Sequence, residues 1–231
     1  MTPSGGPSPG HAVVTGASSG IGAAIAARLL RDGWSVTGLS RTAPDQHAPG
    51  FSHRAVDLLD PSRLPAALEG LRPTALVHAA GLMRAGSLGA LDAEAGRTLW
   101  RLHVEAASLL ADQLVPEMPD GGRIVLIGSR TASGAAGRSQ YAASKAALVA
   151  MARSWALELA PRGITANVVA PAATDTPMLR DPARSDMPPR LPPIGRFVRP
   201  EEVAATTAFL LGSEAGAITG QQIVICGGSS L

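Results

Sequence analysis

Short apolar runs and helix-periodic stretches alternate along this 231-residue chain. HAVVTG (residues 11–16), WSVTGLS (34–40), TALVHAAG (74–81), GRIVLIGS (122–129), GITANVVAP (163–171) and QQIVIC (221–226) are rich in Val, Ile, Leu and Ala. Such runs suit strands covered on both faces. Between them, residues 19–33, 93–115, 139–160 and 201–212 carry apolar side chains at helical spacing. Strands joined through crossover helices lie parallel, so the pattern predicts one α/β domain over residues 11–231. Its sheet is expected to be doubly wound, with helices on both faces. MTPSGGPSPG (1–10) has the composition of a disordered leader.

Composition narrows the function. The formal net charge is +2 and the basic residues are scattered, so no charge block suits nucleic acid or an anionic membrane. Three Trp, three Phe and one Tyr provide no stacking platform for single strands. No apolar run reaches about 18 residues and residues 1–10 lack an apolar core, which points to a soluble cytoplasmic protein with neither signal peptide nor membrane span. The single cysteine, Cys226, has no His or Cys at ligand spacing. It is expected to be a buried apolar residue rather than part of a disulfide or zinc site.

TGASSGIG (15–22) joins the first strand to the first helix. A loop there needs glycine where the backbone must turn tightly and approach a pyrophosphate at the helix N-terminus, which assigns Gly16, Ser18, Ser19, Gly20, Ile21 and Gly22 to a dinucleotide cradle of the Rossmann fold. The spacing is G-x-x-x-G-x-G. At the end of the second strand, a carboxylate would bind a ribose 2′-hydroxyl and repel a 2′-phosphate. GLSRT places uncharged Ser40 and then Arg41 there, so NADP(H) is expected over NAD(H).

YAASK (141–145) contains the chain's only tyrosine and only lysine, while nineteen basic residues are arginine. Residues four apart share a helix face. An ammonium beside a phenol favours the phenolate and brings its pKa from near 10 toward neutrality, which makes the phenol a usable proton shuttle. Arginine's planar fork is a different tool from a compact ammonium that can also bond ribose hydroxyls. Ser129, at the end of GRIVLIGS, is the candidate to hold a substrate oxygen; Ser133, Ser139 and Ser144 are its rivals.

These motifs resemble the short-chain dehydrogenase/reductase family in its compact form, over nearly the whole chain. The resemblance rests on TGASSGIG, Asp57 in VDLLD, HAAG (78–81), IGS ending in Ser129, YAASKAAL, NVVAPAATDTPM (167–178) and ITGQQIVICGG (218–228). It implies that Tyr141 protonates a carbonyl oxygen as nicotinamide delivers hydride, that Lys145 binds the nicotinamide ribose and lowers the Tyr141 pKa, and that Ser129 steadies the oxygen. It further implies Asp57 at the adenine, Ala80 and Gly81 along the adenosine, and Pro171, Ala172, Thr174 and Thr176 on the nicotinamide side. No metal is implied. A homotetramer or homodimer is, through apolar faces of the helices at 93–115 and 139–160 that include Leu109, Leu110, Val149, Met151 and Trp155.

The chain departs from the family at four places. His78 and Ala79 replace two asparagines, Ala172 replaces a glycine, the Ser129-to-Tyr141 spacing is one residue short, and His103 stands where a catalytic asparagine is usual. Imidazole both donates and accepts, so His103 is a candidate to hold a water in a proton relay to Lys145.

Residues 177–200 are proline-rich and charged and are expected to form a substrate lid, with Arg180, Arg184 and Arg190 on it and Leu82, Met83, Met178 and Leu179 beneath. The expected activity is NADPH-dependent hydride transfer between nicotinamide and a ketone, 3-oxoacyl-type substrate or secondary alcohol. A nucleotide-sugar epimerase or dehydratase uses a similar Tyr/Lys pair but needs a longer C-terminal region. A non-catalytic NADP(H)-binding sensor or scaffold is the alternative from another class.

Overall fold

The computed structural model describes residues 10–44, 48–181 and 189–231. Residues 1–9 of the expected leader, and Arg184 with its neighbours in the expected lid, lie outside them. Seven strands form one parallel sheet in the order β3-β2-β1-β4-β5-β6-β7. They are β1 (His11–Thr15), β2 (Ser35–Ser40), β3 (Phe51–Ala55), β4 (Ala75–His78), β5 (Arg123–Ile127), β6 (Thr165–Pro171) and β7 (Gln222–Ile225). The helices are α1 (Gly20–Arg31), α2 (Leu64–Leu68), α3 (Ala93–Trp100), α4 (Ala106–Leu114), α5 (Ser139–Leu159) and α6 (Pro200–Leu211).

Each central strand sends alternate side chains to opposite faces, and two cores result. On one face Val13, Leu76, Ile124, Leu126 and Val168 meet α2, α4 and α5. On the other, Ala12, Val14, Val77, Val125 and Val169 meet α1 and α6. The apolar runs therefore have a physical cause: at β4 and β6 every residue is buried, the polar His78, Thr165 and Asn167 included. No helix among the described residues is long and apolar enough to cross a membrane.

Four features differ from the expectation. β3 (FSHRA), one of the two edge strands, is absent from the sequence expectation because its half-exposed, mixed composition lacks the apolar run of the other six. The expected helix over 93–115 is α3 and α4 joined by a π-turn at Arg101–Glu105, where the Ala106 amide bonds to the Arg101 carbonyl five residues back. Leu110 belongs wholly to the core, whereas Leu109, Val149, Met151 and Trp155 are half-buried against it. Cys226 is likewise half-buried rather than enclosed, and the Ser230 side chain, bonded to its thiol, lowers the thiol pKa.

Candidate active site

All the predicted site residues fall at the C-terminal edge of the sheet, where strand ends and crossover loops leave a crevice. Two adjoining cavities, of about 360 Å³ and about 320 Å³, share Ile21, Gly81, Leu82 and Thr176 as a common wall.

The first cavity begins at the β1–α1 turn. Gly16 and Gly20 hold φ of 68° and 56°, the left-handed region that favours glycine. A Cβ at Gly16 would come within 2.9 Å of the Ala80 Cα, and one at Gly22 within 2.3 Å of the Gly16 carbonyl oxygen. Ser19, extended at the N-cap of α1, makes no capping hydrogen bond, and no acid occupies the first turn. The helix thus presents uncapped amides and the positive end of its dipole to the cavity, a donor set that fits a dinucleotide's pyrophosphate. Ser18, Ser19, Gly20, Ile21 and Gly22 all line it.

Ser40, Arg41, Asp57, Ala80 and Gly81, the residues expected on the adenosine side, also line that cavity. The Ser40 hydroxyl donates to the Thr42 carbonyl at 2.8 Å, so it shapes the turn after β2. Arg41 is exposed and joins none of the ion pairs among the described residues. The Asp57 carboxylate accepts from the Leu59 amide at 3.0 Å, holding the loop after β3 against the opening.

The second cavity gathers Ser129, Tyr141, Lys145 and His103, together with Pro171, Ala172, Thr174 and Thr176 beyond β6. Ser129 follows β5 and is only 7% exposed. Its Oγ accepts from the Thr131 amide at 3.2 Å and lies 2.9 Å from the Thr131 hydroxyl. Tyr141 and Lys145 sit one turn apart near the start of α5. Lys145 is 4% exposed, and its ammonium donates to the Ile127 carbonyl at 2.8 Å. Burial pushes its pKa from 10.5 down to about 7. The Thr174 and Thr176 hydroxyls donate to the carbonyls of Ala172 and Thr174, which fixes the loop opposite.

His103 is fully buried in the π-turn. The Leu82 amide donates to Nε2 at 3.2 Å, so the neutral ring carries its proton on Nδ1 and gives it to Ser144 Oγ at 2.9 Å. Ser144 donates in turn to the Tyr141 carbonyl at 2.8 Å. Both nitrogens are spent on protein groups, and the ring meets Tyr141 edge to face at 5.7 Å between centroids. A relay water on the His103 ring, the sequence expectation, would need one of these bonds to open. His78 is locked the same way. Its Nε2 donates to the Leu102 carbonyl and its Nδ1 accepts from the Thr15 hydroxyl, which itself accepts the Ala79 and Ala80 amides. Burial first, and then the charge of Lys145, push the pKa of both imidazoles down, that of His78 to about 3.

Sequence reasoning missed Thr131, Arg130 and Arg138 as cavity residues, although all three stand in or beside the Ser129-to-Tyr141 loop. Ser144, a rival of Ser129 in the sequence, instead links α5 to the π-turn through its bonds to His103 and the Tyr141 carbonyl.

Residues 16–230 match the family model described as Enoyl-(Acyl carrier protein) reductase. The chain is 36% identical over 238 residues to 2,3-dihydro-2,3-dihydroxybenzoate dehydrogenase of Escherichia coli (strain K12), covering 94% of this chain and 96% of that protein. It is 33% identical over 234 residues to the 3-oxoacyl-(acyl-carrier-protein) reductase FabG of Salmonella typhimurium, covering 94% and 96% respectively. The structure of a blue fluorescent protein from a metagenomic library, in complex with NADPH, superposes with a TM-score of 0.84 at 33% identity, covering 96% of this chain and 98% of that one. With a glycine cradle at one end of a crevice and a buried lysine beside a tyrosine and a serine at the other, this chain belongs to the short-chain dehydrogenase/reductase family of pyridine-nucleotide-dependent oxidoreductases.

Proposed function

We propose that this protein is an NADP(H)-dependent carbonyl reductase, or the corresponding alcohol dehydrogenase, acting on a ketone, 3-oxoacyl compound or secondary alcohol. The observation that carries the reading is Lys145, a buried ammonium whose hydrogen bond goes to a backbone carbonyl rather than to a carboxylate. Such a group destabilises the fold, and catalytic sites are where costs of this kind persist.

When bound, the nicotinamide supplies or accepts the hydride. The chain's own residues handle the oxygen and the proton. Tyr141 donates its phenolic proton to the carbonyl oxygen during reduction and takes it back during oxidation. Lys145 favours the phenolate by its charge. Thr131 gives its amide to Ser129 Oγ, and with substrate bound we assign its hydroxyl, which lies 2.9 Å away, as a second donor. The Ser129 proton is thereby left to hold the substrate oxygen. We assign His103 a positioning role: it ties the Gly81–Leu82 wall to α5 and braces the Tyr141 ring.

Arg41 supports NADP(H), since its exposed guanidinium borders the cradle with no carboxylate at the end of β2. The NADPH-bound relative agrees with that preference, and the reductase and dehydrogenase relatives agree with the reaction class. By the same resemblance we propose a homotetramer or homodimer built on the exposed faces of α4 and α5, to be read by light scattering.

The test is NADPH absorbance with a panel of ketones, 3-oxoesters and acyl thioesters. Tyr141→Phe should lower kcat by roughly 10²–10⁴ while cofactor binding persists. Full-speed reduction by Tyr141→Phe refutes the mechanism. Tight NADPH binding by the wild type with no turnover on any substrate would make the protein a sensor instead.

A further inference from the structure

The substrate side of the crevice carries charge of one sign. Arg130, Arg138 and Arg190 line it together with Lys145, and no Asp or Glu appears among the described residues of that lining. The chain does not lack acids, having 18 of them. Elsewhere its arginines pair with them: Arg28 with Asp32, Arg97 with Glu94, Arg162 with Asp120, Arg196 with Glu202. Arg130 and Arg190 join none of the ion pairs among the described residues. The 21-residue helix α5 also opens at this mouth, with Arg138 at its N-cap and no acid in its first turn, so its dipole adds to the same field. Concentrated positive charge in a concave, partly apolar site focuses potential and attracts anions.

Resting on the oxidoreductase reading above, we propose that the substrate carries an anionic group, a carboxylate or a phosphate, held by Arg130 and Arg190 at the mouth of the second cavity. The reacting oxygen lies between Ser129 and Tyr141. Arg130 is the next residue after Ser129, and Arg138 precedes Tyr141 by about one helical turn, roughly 5 Å along the axis. The anion therefore sits at the same cavity as the reacting carbon, with Leu82, Met83 and Leu191 covering the apolar part. Arginine suits this work, because its fork bonds carboxylate or phosphate through two parallel donors.

The experiment compares matched substrates with NADPH: a 3-oxo acid against its methyl ester, and a 3-oxoacyl-CoA against the N-acetylcysteamine thioester that lacks the phosphates. The expected result is a kcat/KM at least tenfold higher for the anionic member of one pair, mainly through KM, and the pair that shows it identifies carboxylate or phosphate. Arg130→Gln should reduce that preference at least tenfold. Equal turnover of acid and ester, and of both thioesters, overturns the anion while leaving the oxidoreductase reading intact. An equal loss on both members in Arg130→Gln also overturns it, since the change then acts through Ser129. Should no substrate turn over, calorimetric titration of benzoate into the NADPH-saturated protein still decides. Binding weakened tenfold by Arg130→Gln upholds the anion site without the reaction, and no binding by the wild type overturns it.

Discussion

Replacing Lys145 with methionine should make the cofactor-free protein more stable while abolishing turnover. In the native protein the ammonium is almost fully enclosed, its hydrogen bond goes to the Ile127 carbonyl, and it joins none of the ion pairs among the described residues. Burial moves its pKa from 10.5 to about 7. At 1.36 kcal/mol per pKa unit, this corresponds to roughly 5 kcal/mol against the charged form. Below pH 7 both folded and unfolded chains carry the proton, so the full penalty is present. Between pH 7 and 10.5 the unfolded chain holds the proton that the folded one has lost, and stability rises with pH. Above 10.5 both forms are neutral and the penalty is gone. Methionine has similar length and no charge, but it leaves the Ile127 carbonyl without its donor, at about 1–3 kcal/mol. The net gain for Lys145→Met at pH 6.5 is therefore about 2–4 kcal/mol. Urea denaturation from pH 6 to 9.5 reads it directly, and the advantage should shrink by about 1.4 kcal/mol per pH unit above 7. A variant less stable than the wild type at pH 6.5, with a difference that does not change with pH, would refute the claim that the site holds a desolvated ammonium.

Two further perturbations address the cofactor and the imidazole. Arg41→Asp places a carboxylate where a 2′-phosphate is expected, and the ratio of NADPH to NADH affinity should fall by tenfold or more in fluorescence titrations; an unchanged ratio rules out Arg41 as the discriminating residue. His103→Ala removes the acceptor of the Leu82 amide and the donor to Ser144 and leaves a cavity, so urea denaturation should show a loss of about 2–4 kcal/mol. Its kcat/KM should fall with the shape of the pH profile unmoved, and a displaced profile would instead place the ring in the proton path.

Much of this protein is written in local pattern. The five inner strands and the long helices follow from apolar runs and helical spacing, because burial on both faces of a parallel sheet leaves few residue types that fit, and the edge strand β7 is read from its own short apolar run. Gly16, Gly20 and Gly22 declare the cradle, since backbone contact and positive φ exclude a side chain there. Tyr141 and Lys145 declare the chemistry, since four residues along a helix set a shared face whatever the rest of the chain does.

What lay beyond the sequence depends on contacts between distant segments. β3 exists because β2 offers it an edge, not because FSHRA has a strand's apolar run. His103 and His78 read as replacements for asparagine, but only packing against Leu82, Ser144, Leu102 and Thr15 sets where their protons lie. Arg130 and Arg138 stand in plain view beside Ser129 and Tyr141, yet side chains in a loop without a period have no direction until the loop is folded over the sheet edge. Periodicity in the chain determines which elements form and which glycines and helix faces they offer; a side chain's solvent, partners and proton are decided only by the tertiary structure, because they come from residues tens of positions away.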